Sequence, residues 1–144
     1  MASQWFLTIA GLLYFFRYWE YDKSTLLSTG SVSMYGVSRP TKLNAVFTFE
    51  RTPLTYLFQG TQYWRYNEKA KRATGRYPRK ISPAWPNVVN NLDAAMTWIN
   101  KKSYIFKGED YYKIEASRRR RGRISVATGY PRSTAEVWMR CSSS

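Results

Sequence analysis

With 144 residues, 44% of them hydrophobic and 17% aromatic, the chain has enough apolar surface for one domain with a modest core; its Trp, Tyr and Phe favour strands, and disorder is excluded. A net charge of +14, from 23 Lys+Arg against 9 acids, predicts affinity for polyanions: nucleic acid, sulfated glycans, acidic protein faces or anionic lipid. The lack of any histidine and the single cysteine exclude His-based triads, HExxH zinc sites, Cys/His dyads, an internal disulfide and a CxxC metal knuckle.

In chain order, the first feature is the apolar run "WFLTIAGLLYFF" (5–16). It is shorter than the roughly 18–20 residues a membrane span needs. Two readings are open: the apolar region of a signal peptide, which lacks a preceding Lys or Arg, or a folded strand pair. No N-x-S/T acceptor occurs anywhere.

Next comes "LNAVFTFERTPLTYLFQGTQYWRYNE" (43–68), which returns in altered form as "LDAAMTWINKKSYIFKGEDYYKIE" (92–115). Leu43 and Leu92 are 49 residues apart, and the pairs Tyr56/Tyr104, Phe58/Phe106 and Gly60/Gly108 are each 48 apart. The exits repeat as "RYPR" (76–79) and "GYPR" (129–132), with extra residues in or near "SRRRRGR" (117–123). A degraded copy, "LLYFFRYWEYD" (12–22), matches 54–67 without the Gly-Thr-Gln of the middle turn. The chain thus divides into a degraded unit at 1–42, units at 43–91 and 92–141, and a tail at 142–144.

Each unit reads as about four short strands. In the last, 92–98 is apolar enough for an inner strand buried on both faces. Residues 103–107 form the next strand, Lys107-Gly108-Glu109 a hairpin turn with Gly108 at positive φ, 110–115 a third strand, and 123–128 a weaker outer one. Between units, "YPRKISPAWPNVVNN" (77–91) predicts a short helix opened by Pro78, running through Ile81 to Trp85 and stopped by Pro86. Four-stranded repeats of 40–50 residues point to an all-β fold of antiparallel propeller blades.

The phrases "LDAAMTW…SYIFKGEDYYKIE", "LNAVFTF…TYLFQGTQYWRYNE" and "RYPRKISPAWPNVVNNLDAA" resemble hemopexin repeats, the blades of the four-bladed propeller of hemopexin, vitronectin and most matrix metalloproteinases. The ending "GYPRSTAEVWMRC" resembles the close of the last blade in membrane-type matrix metalloproteinases. The resemblance covers 43–141 well and 11–36 more loosely, and implies an incomplete ring of about three of four blades. It departs from the family in the first unit, where only "YGVSRP" (35–40) stands in place of the Y-P-x-x-I…W connector. The chain looks like the C-terminal part of a metalloproteinase-like gene, or a truncated descendant, without a catalytic domain or catalytic zinc.

The resemblance also suggests sites. In the family, backbone carbonyls at the positions of Asn44 and Asp93 point into the central channel and hold a cation such as calcium, with Val46 and Ala95 lining the same channel; carbonyl oxygens suit hard cations. The alternative is that Asn44 and Asp93 cap the strand and satisfy backbone donors. Cys141 corresponds to the family's last cysteine, whose partner lies in a first blade absent here; a nucleophilic role has no histidine to support it. Tyr63-Trp64-Arg65-Tyr66 and Tyr111-Tyr112-Lys113 are either stacking platforms for bases or sugars, or core between blades, and their equal spacing favours core. Arg118, Arg119, Arg120, Arg121 and Arg123 form a solvated loop, an anion patch for sulfated glycan or acidic protein, or a convertase cleavage site. Glu109-Asp110 sits at a turn with diverging side chains and is no glycosidase pair.

The function these readings imply is non-catalytic binding of an extracellular matrix protein or protease substrate by an extracellular or cell-surface module, with self-association through open sheet edges. Nucleic-acid binding, for which "QYWRYNEKAKRATGRYPRK" (62–80) would be the groove, is the rival, although the blade pattern already accounts for its aromatics; a third reading is a gene fragment without stable function.

Overall fold

The computed structural model describes residues 4–6, 17–22, 25–31, 35–37, 43–49, 52–73, 75–117 and 123–140. They form three antiparallel sheets in sequence order. The first holds β1 (Gln4–Phe6), β2 (Arg17–Asp22) and β3 (Thr25–Ser31), paired in that order. The second holds β4 (Ala45–Thr48), β5 (Leu54–Gln59), β6 (Gln62–Asn67) and β7 (Arg72–Ala73), again in order, with β8 (Arg79–Lys80) also pairing with β6. The third repeats that plan: β9 (Ala94–Thr97), β10 (Ser103–Lys107), β11 (Asp110–Ser117) and β12 (Arg123–Val126), with β13 (Arg132–Ser133) pairing with β11. Two helical turns, α1 (Ile81–Ala84) and α2 (Thr134–Trp138), close the second and third units.

Local sequence explains the hairpins. Gly60 and Gly108 each take the first of two turn positions at φ +58°, where a side chain would be strained, and the flanking pairs Gln59–Gln62 and Lys107–Asp110 close the ladders. A hydroxyl pair recurs too. Thr48 Oγ1 meets Thr55 Oγ1 at 2.9 Å, and Thr97 Oγ1 meets Ser103 Oγ at 2.8 Å. The Thr97 hydroxyl also lies 2.7 Å from the Thr48 carbonyl and donates to it, joining the inner strands of neighbouring sheets.

Two details differ from the sequence reading. Pro78 does not open a helix; it follows a cis Tyr77–Pro78 bond and leads into β8, and the helical turn begins only at Ile81. Pairing with the free edge of β6 satisfies backbone groups that an earlier helix start would not. The inner strand β9 is not buried on both faces: Ala94 is exposed and Ala95, Met96 and Thr97 are half-buried.

Alternation along the strands sorts side chains into two faces per sheet. On one face of the second sheet, Ala45, Phe47, Tyr56, Phe58 and Tyr63 join Ile81, Trp85, Val88 and Leu92 and the inward residues Ile105, Tyr112, Ile114 and Ile124 of the third sheet in one buried cluster. The opposite face presents Leu57, Trp64 and Tyr66 to Tyr35, Val37 and Leu43, with Tyr35 edge-on to Tyr66 at 4.6 Å. The second and third sheets therefore stack face to face through one apolar layer.

Trp85 is the centre of the larger layer. It is 2% exposed and stands edge-on to Phe47, Tyr56, Phe58 and Tyr63, with centroid distances from 5.0 to 6.4 Å. Edge-to-face contact of this kind adds to the stabilisation from area burial. Trp85→Ala will cost about 3–5 kcal/mol of stability, read as a fall in the urea midpoint; a cost below about 1 kcal/mol would mean that the ring does not hold the sheets together.

Candidate interaction surfaces

Asn44 and Asp93 occupy the same place in their units, one residue before β4 and β9 respectively. Asn44 Oδ1 accepts from the Gly60 amide at 2.6 Å, and Asp93 Oδ2 accepts from the Gly108 amide at 2.6 Å. Each side chain thus ties the start of an inner strand to the tip of the next hairpin, supplying a turn amide with an acceptor. Asp93 Oδ1 also accepts from Lys107 Nζ at 3.2 Å. The Gly108 amide, then Lys107, hold the Asp93 carboxyl below its ordinary 3.8. Val46 and Ala95 lie on the neighbouring inner strands and are half-buried.

These side chains are committed to their turns, so any cation between the inner strands would rely on backbone carbonyls. Among the described residues no group of three His, Cys, Asp or Glu could hold a metal. Arg118, Arg119, Arg120, Arg121 and Cys141 lie outside the described residues; Arg123 opens β12, its backbone paired with Ser117.

Tyr63, Trp64, Tyr66, Tyr111 and Tyr112 are all buried, as the core reading expects. Burial raises the Tyr111 and Tyr112 hydroxyls above their ordinary range.

The outward face of the third sheet is one feature that sequence reading did not single out. Trp138 of α2 stands edge-on to Trp98, Tyr104, Phe106 and Tyr111 at 5.3 to 5.8 Å, repeating the arrangement around Trp85. The second sheet's version of this face lies under the third sheet; here Trp98, Ile99, Val137 and Met139 are exposed, Met139 by 73% and Ile99 by 75%. The signal was available in the matching places of Trp85 and Trp138, six residues after Arg79 and Arg132.

The family profile for Hemopexin matches residues 43–88, the second unit with its connector. Matrix metalloproteinase-2 of Drosophila melanogaster is 32% identical over 104 residues, 72% of this chain and 13% of that protein. The chain is a hemopexin-like repeat domain of the matrix metalloproteinase type. Vitronectin of Homo sapiens is 32% identical over 89 residues, 57% of this chain and 18% of that protein. The hemopexin-like chain therefore spans less than a fifth of either relative. Among solved structures, the hemopexin fold protein CP4 from cow pea superposes with a TM-score of 0.64 at 21% identity, covering 85% of this chain and 60% of that one. This likeness establishes the fold, an all-β arrangement of blade-like four-stranded sheets. In metalloproteinases the hemopexin domain is the non-catalytic part. Among the described residues no helix is long and apolar enough to cross a membrane.

The two equivalent caps give a test of sign. Because the Asp93 pKa is depressed on folding, its contribution is full above 3.8 and is lost as pH falls through the lower folded value. Asp93→Asn, which copies Asn44, will keep the turn acceptor and remove this acid-sensitive loss. Asp93→Ala will lower the melting temperature at neutral pH as well. Thermal melts from pH 7 down to about 2 check this, and an identical acid loss in Asp93→Asn would exclude Asp93 as its source.

Proposed function

We propose that this chain is a binding module without catalytic activity of its own, which engages an extracellular matrix protein or protease substrate and pairs with a second copy of itself. The observation that carries the reading is the aromatic outward face of the third sheet. Its counterpart in the second unit is covered by a neighbouring sheet, and this one exposes Trp98, Ile99, Val137 and Met139. Exposed apolar clusters of this sort mark protein-binding surfaces. Similarity to matrix metalloproteinases and vitronectin supports an extracellular or cell-surface setting. The absence of histidine from all 144 residues removes the metalloproteinase zinc motif from this chain.

The wild-type chain will self-associate at tens of micromolar in sedimentation velocity. Val137→Asp/Met139→Asp will shift it to monomer and reduce retention on immobilised collagen, while its melting temperature stays near wild type, because both side chains are half or more exposed. A monomeric wild type that ignores collagen would refute this reading.

Calcium held by inner-strand carbonyls at Asn44 and Asp93 belongs to the same proposal, as a weak site, because among the described residues only the second and third units supply matching strands. Millimolar calcium will raise the melting temperature by a small amount at most; a rise as large as that of a complete four-bladed relative would contradict it.

A further inference from the structure

Seven cations, Arg65, Lys69, Lys71, Arg72, Arg76, Arg79 and Lys80, fall within sixteen residues that contain a single acid, Glu68. The fold lines part of this segment along one edge. Both β7 and β8 pair with β6: Arg72 lies opposite Asn67, Arg79 opposite Tyr63 and Lys80 opposite Gln62. Arg72 and Lys80 are therefore set apart by five residues of β6, about 17 Å of extended strand. Lys71, Arg72, Arg76, Arg79 and Lys80 are all exposed, and Glu68 lies 3.8 Å from Lys71.

One of these side chains is held in place. Arg79 donates from Nε to the Arg76 carbonyl at 3.1 Å and stacks over the Tyr77 ring at 5.1 Å. That leaves its terminal NH2 groups as a pre-oriented pair of donors, the geometry that binds sulfate or phosphate in bidentate fashion. The arrangement recurs on the next sheet, where Arg132 donates from Nε to the Gly129 carbonyl at 3.1 Å and stacks over Tyr130 at 4.9 Å.

We propose that the outer edge of the second sheet, through Arg72, Arg76, Arg79 and Lys80, binds a sulfated polysaccharide laid along β7 and β8. A linear polyanion matches a row of cations along a strand edge. A nucleic acid fits less well. Single-strand binders need exposed rings for base stacking, and here Tyr63, Trp64 and Tyr66 are buried while the half-buried Tyr77 has guanidinium groups of Arg65 and Arg79 at its ring. This edge is separate from the aromatic face of the third sheet and does not depend on the role given to that face.

The experiment is heparin binding by the full chain at about 0.15 M salt, with competition by single-stranded DNA. Arg72→Ser/Arg76→Ser/Arg79→Ser/Lys80→Ser will weaken heparin binding roughly ten-fold and elute at lower salt. Arg72→Ser/Lys80→Ser changes only exposed side chains and keeps the Arg79 contact to Arg76; it will lose more affinity than Lys101→Ser/Lys102→Ser, which removes the same charge from the β9–β10 turn. Equal losses in the two double variants would reduce the effect to net charge and overturn the site. Retention that survives the edge substitutions and disappears on replacing Arg118–Arg121 would overturn it as well. Tighter binding of single-stranded DNA than of heparin at equal salt would overturn the choice of ligand.

Discussion

The packing of one tryptophan against four aromatic rings is the contact on which the stacking of the sheets depends. Trp85 arrives on the connector after β8, too late to belong to any strand of its own sheet. Its ring stands edge-on to Phe47, Tyr56, Phe58 and Tyr63 and lies in the same buried cluster as Ile105, Tyr112 and Ile114 of the next sheet. A short antiparallel sheet buries little by itself and is marginal in water. Filling the space between two such sheets with one large rigid side chain removes apolar surface on both from solvent, and that burial is the main favourable term.

The same design explains why the third sheet carries an exposed apolar face. Trp138 rebuilds the ring cluster on the outward face, so Tyr104 and Tyr111 remain buried although that face is the last of the described stack. Beyond Trp138 the apolar surface continues into Val137, Met139 and Ile99. A surface of the kind that is covered in the second unit is therefore left open here. The basic edge arises from a different constraint. The connector must return along β6 before turning inward, and its arginines and lysines, which resist burial, line a side that no strand covers among the described residues.

Much of the fold was legible in residues whose meaning is local. Gly60 and Gly108 announce two-residue hairpins because few other residues tolerate their positive φ, and the 48-residue spacing of Tyr56/Tyr104 and Phe58/Phe106 places matching strands in each unit. The paired aromatics at Tyr63-Trp64 and Tyr111-Tyr112 read correctly as core for the same reason. Pro78 misled because proline at a helix start and proline before an edge strand look alike in sequence; only the unpaired donors and acceptors of β6 distinguish them. Asn44 and Asp93 stood out as strand openers, but their bonds to Gly60 and Gly108 bridge sixteen and fifteen residues and became visible only with the hairpins folded.

The amino-acid order by itself determined the repeat, the strands and turns, the all-β class, the lack of histidine chemistry and the excess of positive charge, since each follows from composition or from neighbours within a few residues. The tertiary structure decided which face of each sheet is covered, that Trp85 and Trp138 play equivalent parts, and that Arg72, Arg79 and Lys80 share one edge. Those outcomes depend on register and on contacts between residues tens of positions apart, and alternation along a strand says that a face is apolar without saying what will lie against it.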